Sequence, residues 1–214
     1  MSESLEKGWF AYKNCTVMQH PDVFDVFDRM FQEVRPSTIL EIGSAQGGFT
    51  IALRDILDKH GLVDSKVVTW DIHDAGKKIY DYKGVLDKID CRVENIFTHR
   101  GDELNEDNRE KVTELVQRDG VTVVCCDGGN KLLELQVLSR LLKPGDIIMA
   151  HDYHPDKDKY TSMSKEELVN NNIWPFCETW DAGVNVPDDV LPYKKEEFER
   201  VAWLCMRRDS WQAN

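Results

Sequence analysis

Short apolar runs alternate with longer stretches of helical periodicity along this chain, and that alternation predicts an α/β architecture. Val23, Phe24, Phe27, Met30, Phe31 and Val34 form the stripe of an amphipathic helix. Pro21 suits its first turn, and Arg35-Pro36-Ser37 ends it. Thr38–Ile42 then reads as a strand, and Gly43-Ser44-Ala45-Gln46-Gly47-Gly48 as a turn. Phe49, Ala52, Leu53, Ile56 and Leu57 mark a second helix. Lys66–Trp70, closing at Asp71, and Ile89–Val93 are the next strands, with a weak helix over 74–88 between them. Glu103–Arg118 reads as a charged helix with a solvated face. Val121–Cys126 is a continuous apolar run, as in a central parallel strand buried on both faces. A leucine-marked helix follows, stopped by Lys143-Pro144-Gly145-Asp146, and Ile147–Ala150 is the next strand.

The C-terminal third is less regular. Residues 155–175 are polar and predict an insertion or lid with a short helix near Lys165–Asn170. Phe176–Trp180 reads as a sixth strand, Asp181–Lys195 as a loop, and Arg200–Arg207 as the last strand. Late strands joined without a helix predict an antiparallel edge. The expected fold is therefore a doubly wound, mostly parallel seven-stranded sheet with an antiparallel C-terminal edge and helices on both faces. It divides into an N-terminal arm and helix (1–37), a core (38–152) and an acceptor-side lid with edge strands (153–214). Within the arm, Trp9, Phe10, Tyr12 and Met18 either cover a cleft or seal the sheet.

At 214 residues one domain is the natural expectation. A formal net charge of -12 argues against a role in holding nucleic acid, because no bulk basic field neutralises phosphates. No apolar run approaches bilayer-spanning length, and no charged-then-apolar signal segment opens the chain. None of the six cysteines forms Cys-x-x-Cys, so reduced thiols in a cytoplasmic protein are the plain expectation. The pattern leaves a homo-oligomer open.

The turn after the first core strand is Gly-x-x-x-Gly-Gly. It lacks the lysine of a P-loop and has Ala45 where a dinucleotide fingerprint needs its second glycine. Glu41 just before it suits a cationic ligand better than a pyrophosphate. Gly47 and Gly48 are expected to admit a ligand to the backbone near the helix N-terminus. In an open α/β sheet ligands sit beyond the carboxyl ends of the strands, and four such ends carry distinctive groups: Gly43, Asp71, Asp127 and His151-Asp152. Asp71 sits where ribose hydroxyls are bound, and the exit containing Asn95 would face an adenine ring. Asp127 and Asp152, on neighbouring strands, repel each other unless something positive lies between them. A divalent cation is the natural candidate, with Mg²⁺ or Ca²⁺ favoured by oxygen ligands.

EIGSAQGGFT, Asp71, CCDGGNK and MAHDY together resemble a class I S-adenosylmethionine-dependent methyltransferase of Rossmann-like fold. More narrowly, the stretch from Lys13 to Gly48 with Asp127 and His151-Asp152 resembles the cephalosporin hydroxylase/rhamnosyl O-methyltransferase group and the macrocin and catechol O-methyltransferases. The resemblance implies that Glu41, Gly43, Ser44 and Gly47, with Gln46 in the same turn, line the cofactor's methionine end. It puts Asp71 on the ribose, and Asp127 against both cofactor and metal. Asp152 completes the metal pair. His151 departs from the group's usual acid: imidazole suits Mn²⁺, Fe²⁺ or Zn²⁺ better than Mg²⁺, and could instead serve as a base. Lys131, His151 and His154 are the candidate proton acceptors for methyl transfer to a hydroxyl of a small molecule or sugar. Trp174, Phe176 and Trp180 are candidate walls of the acceptor pocket. The rival readings are a metal-independent methyltransferase with His151 as base, and a module that binds the cofactor or a nucleotide without turning it over.

Overall fold

A computed structural model of the chain describes residues 2–73, 88–98 and 102–209. Its centre is a seven-stranded sheet. In chain order the strands are β3 (Thr38–Ile42), β4 (Lys66–Asp71), β5 (Ile89–Val93), β6 (Thr122–Cys126), β7 (Ile147–His151), β8 (Val190–Pro192) and β9 (Trp203–Arg208). Across the sheet the order is β5-β4-β3-β6-β7-β9-β8. The first five are parallel, β9 runs antiparallel to β7, and β8 antiparallel to β9. This is the Rossmann-like, doubly wound sheet with an antiparallel C-terminal edge that the periodicity predicts.

Every residue of β3, β6 and β7 is buried, because helices cover both faces. Alternate residues of each strand feed opposite cores. Ile39, Val67, Val123 and Ile147 pack with α2 (Val23–Val34) and α3 (Gly48–Lys59). Leu40, Val68, Val124 and Ile148 pack with α4 (Glu106–Val116) and α5 (Lys131–Leu138). Both helices of the second layer are capped by asparagines: the side chains of Asn105 and Asn130 accept from the backbone N–H of Asn108 and Leu133.

The arm is ordered. A short helix, α1 (Ser2–Lys7), leads into a hairpin of β1 (Phe10–Tyr12) and β2 (Cys15–Val17). The hairpin packs on α3 so closely that a Cβ at Gly48 would lie 2.5 Å from the carbonyl oxygen of Thr16. Gly48 therefore admits the arm and not a ligand, contrary to the expectation from the turn sequence.

Two further readings need correction. Phe176–Trp180 is not a strand: it touches the sheet region through one isolated bridge, Tyr153 to Thr179, and the N–H groups of Glu178 and Thr179 both donate to the carbonyl of Asp152. The seventh strand is Val190–Pro192, inside the segment expected to be a loop. Its closing proline is tolerated because the strand lies at the sheet edge. A short helix, Lys195–Glu199, joins it to β9, so the antiparallel edge holds although the connection is not plain. The predicted helix at Lys165–Asn170 is present, begun by a capping box between Ser164 and Glu167. The weak helix read over 74–88 falls almost wholly outside the described residues. No helix among the described residues is long and apolar enough to cross a membrane.

Candidate active site

Strand register gathers the distinctive residues. Trp70, Ile42, Cys126 and Ala150 are paired across four adjacent strands. The next position along each strand is Asp71, Gly43, Asp127 or His151, so these four emerge side by side at the carboxyl edge. The chain winds outward from β3 to β4 and β5, then crosses back to β6, which makes the β3/β6 junction the switch point where such sheets bind ligands. Gly43 and Asp127 meet there. Gly43 has φ +88°, and a Cβ on it would lie 2.2 Å from the backbone oxygen of Asp127. Only glycine combines that conformation with that approach.

A cavity of about 250 Å³ opens at this junction, lined by Gly43, Ala45, Asp71, the Glu94–Phe97 exit and Asp127–Gly129. Asp71 is fixed by two backbone donors, Ala45 N–H to Oδ2 and His73 N–H to Oδ1, each at 2.8 Å. A carboxylate offers about four acceptor sites, so capacity remains for two vicinal hydroxyls. Asn95 lies on the same wall.

Glu41 does not line this cavity. Its side chain shares a face with Ile39, is 1% exposed, and accepts from Thr50 Oγ1 at 2.5 Å. Ser44, Gln46 and Gly47 also fall outside the lining, their turn closed by Gly47 N–H to Ser44 O at 2.7 Å. Burial pushes the Glu41 carboxyl up to about 7. The folded state therefore holds this proton more tightly than the unfolded chain between about pH 4.5 and 7, and stability falls as pH rises through that window. Glu41→Gln, which keeps an acceptor for Thr50, should stabilise the protein more at pH 8 than at pH 5, by on the order of 2 kcal/mol or several degrees of melting temperature. Equal gains at both pH values in thermal melts would show that Glu41 is ionised throughout.

A second cavity, of about 270 Å³, shares Gly43, Ala45 and Asp127 with the first. Its mouth is apolar, with Trp9, Met18, Trp174 and Phe176, and its floor is charged, with Asp127, Lys131, His151 and Asp152. The arm and the lid meet at this mouth because Gly8, at φ +74°, lets the Phe176 ring approach; a Cβ there would sit 2.4 Å from the ring. On the floor, His151 Nδ1 lies 2.9 Å from Asp127 Oδ1 and 3.2 Å from Asp152 Oδ1. One ligand atom each from Asp127, His151 and Asp152 falls within 4.8 Å of the others. Lys131 Nζ reaches into the same group, 3.1 Å from Asp152 Oδ2, 4.0 Å from Asp127 Oδ1 and 2.7 Å from Glu178 Oε1.

His154 is not part of this floor: its Nδ1 engages the backbone of Asp156 and its ring faces Tyr160. Trp180 is likewise turned to Tyr160 and Lys157. Sequence reasoning missed Gln19, which is 1% exposed, donates to Asp127 Oδ2 at 2.6 Å and accepts from Trp203 Nε1 at 2.9 Å. It missed Glu178 as well. A lone glutamine before a helix carries no motif. Only the pairing of His151 with Trp203 across β7 and β9 brings its partner to the site.

The charges on the floor depend on one another. Burial works against the Lys131 ammonium, but Asp152, Asp127 and Glu178 outweigh it and hold the amine well above its usual range. Burial also opposes an imidazolium at His151, and again Asp127 and Asp152 reverse the balance and push it up. Burial raises Asp127, with His151 opposing. Asp127 and His151 therefore titrate as a pair. Asp152, Asp127 and Glu178 favour the ammonium form of Lys131.

The family described as rhamnosyl O-methyltransferase/CmcI matches residues 7–185. No curated protein matches. Among solved structures, an apo structure of CmcI superposes with TM-score 0.61 at 18% identity, covering 94% of this chain and 77% of that one. A Mg-SAM structure of CmcI gives 0.57 at 17% identity over the same shares. A methyltransferase from Geobacter sulfurreducens gives 0.53 at 14% identity, covering 88% of this chain and 80% of that one. The chain spans 66% of the length of the CmcI chain in an SAH structure. With most of the chain, arm to lid, inside the matched span, it belongs to the rhamnosyl O-methyltransferase/CmcI family of S-adenosylmethionine-dependent methyltransferases.

Proposed function

We propose that this chain transfers a methyl group from S-adenosylmethionine to a hydroxyl of a neutral small molecule held in the second cavity. The observation that carries this reading is the shared wall: Gly43, Ala45 and Asp127 border both cavities, so a donor in one and an acceptor in the other meet at Asp127. The first cavity fits the cofactor. Gly43, packed directly on the Asp127 backbone, forms its inner wall, and Asp71 is held with acceptor capacity to spare for ribose hydroxyls.

Bound there, the cofactor supplies an activated methyl group on a sulfonium. The protein's own task is to align the attacking oxygen and take up its proton. Asp127 and His151 share the contact that receives this proton: Oδ1 and Nδ1 are 2.9 Å apart, and the ring is held between Trp203 and Trp174 at centroid distances of 4.9 and 5.8 Å. Gln19 fixes the other Asp127 oxygen. The apolar mouth suits an acceptor with a flat or apolar face, an aromatic alcohol or the face of a sugar ring. The acidic floor and the net charge of -12 disfavour acceptors carrying phosphate.

The metal expected at Asp127, His151 and Asp152 fits these side chains poorly. A divalent ion placed 4 Å from the Lys131 ammonium meets a repulsion on the order of 8 kcal/mol at an effective dielectric of about 20. An imidazole also replaces an oxygen ligand, which Mg²⁺ disfavours.

The test is a labelled-methyl transfer assay on neutral phenols and sugars beside their phosphorylated analogues, with calorimetry of S-adenosylmethionine binding in parallel. Methylation of a neutral acceptor is the expected result. Cofactor binding with no product from any acceptor, or product only from phosphorylated ones, would overturn it.

A further inference from the structure

We infer that Lys131 is the resident cation of this site: its ammonium stands beside Asp152 and Asp127, where its charge opposes a divalent ion, and the protein binds no divalent metal there. The inference deepens the reading of the second cavity as the acceptor site, and rests on it for the lysine's role.

All four carboxylate oxygens of the pair already have a protein donor. Asp127 Oδ1 faces His151 Nδ1 at 2.9 Å, and Asp127 Oδ2 accepts from Gln19 Nε2 at 2.6 Å. Asp152 Oδ1 accepts from Trp174 Nε1 at 2.8 Å, and Asp152 Oδ2 pairs with Lys131 Nζ at 3.1 Å. A metal would have to displace these donors and not merely enter among them. Imidazole Nδ1, the ring atom that faces the acids, is committed to the same contacts.

Lys131 is also built into its place. It is 8% exposed, and its ammonium donates to Gly128 O at 3.1 Å and Glu178 Oε1 at 2.7 Å besides pairing with Asp152. The turn that carries it is braced from beneath: Glu134 accepts from Gly128 N–H at 3.1 Å and Asn130 N–H at 3.2 Å. A Cβ at Gly128 would lie 2.2 Å from the Glu134 carboxylate, so a side chain there would displace the brace. Asp152 has φ +56°, an uncommon conformation for a side-chain-bearing residue, held by two N–H donors, from Glu178 and Thr179, to its own carbonyl. The backbone thus places Asp152 against the lysine, and the same loop brings Glu178. In this arrangement Lys131 is a positioning residue: a fixed positive charge that holds both acids and favours negative charge on the acceptor oxygen.

Mn²⁺ binding read by electron paramagnetic resonance, on the full chain with S-adenosylhomocysteine added, tests this without reference to turnover. The wild-type protein should bind no Mn²⁺ at millimolar concentration, and its melting temperature should not move with the ion. Lys131→Met, close in length but uncharged, should acquire one Mn²⁺ site and be stabilised by the ion, and adding Asp152→Asn should abolish both. Wild-type binding of Mn²⁺ that Asp152→Asn removes would overturn the inference, and so would a folded Lys131→Met that binds none. The wild-type measurement stands even if the variant fails to fold. Calorimetry of cofactor binding on the same sample separates this outcome from failure of the methyltransferase reading, since a protein that ignores the cofactor can still report whether it takes Mn²⁺.

Discussion

Gly43→Ala should lower the melting temperature by roughly 5–12 °C and weaken S-adenosylmethionine binding at least about tenfold. Two costs add. The residue sits at φ +88°, where a side chain is strained, and the new Cβ would stand 2.2 Å from the Asp127 carbonyl oxygen and 2.8 Å from the Gly128 nitrogen. Neither neighbour is a flexible side chain that can swing away. Both are backbone, at the point where β3 and β6 are tied by the Asp127 N–H to Ile42 O hydrogen bond at 2.9 Å. Relief therefore means prising apart the two central strands at their carboxyl ends, which is where the two cavities meet. Together the costs are on the order of 2–4 kcal/mol. Calorimetric melting and cofactor titration of the same variant measure both effects. A variant with wild-type stability and affinity would show that this junction is looser than described and is not the cofactor cradle.

Asp127→Asn should reduce kcat by about 10²–10⁴ while leaving cofactor affinity within about threefold. The substitution preserves shape but replaces one carboxylate oxygen by an NH₂ group. Asp127 receives Gln19 on one oxygen and faces His151 on the other. Whichever way the amide turns, one of these contacts sets donor against donor or takes the proton-sharing partner from His151. The cofactor cavity loses no backbone contact. Steady-state kinetics with the accepted hydroxyl compound, beside calorimetry, separates the two quantities. A kcat within tenfold of wild type would mean that the acceptor's proton leaves by another route; a proportional loss of cofactor affinity would make Asp127 a binding group only.

The local signals in the sequence were sufficient for the parallel part of the sheet. A short apolar run giving way to a period of about 3.6 across a glycine turn marks β3 and α3 unaided, and the uninterrupted run at Thr122–Cys126 announces a strand covered on both faces. Because adjacent parallel strands stop in register, residues just past four strand ends were bound to converge, and Gly43, Asp71, Asp127 and His151 do. The edge was harder to read. Val190–Pro192 is short and ends in proline, so it carries too little pattern to outweigh its loop-like composition, whereas the aromatic-flanked Phe176–Trp180 imitates a strand, and of it only Phe176 lines a cavity.

Chain order and residue type determined that this protein is a doubly wound sheet with acids gathered at one edge. Which way a buried strand residue points, and what charge fills the space between two acids, was decided only by packing. Glu41 lies within a strand buried on both faces, so no polarity pattern could assign its side, and α3 claims it through Thr50. Lys131 sits in the helix after Asp127, and the Glu134-braced turn and Glu178 bring its ammonium to carboxylates from three separate segments. Contacts of that kind depend on distances between segments far apart in the chain, and local periodicity does not encode them.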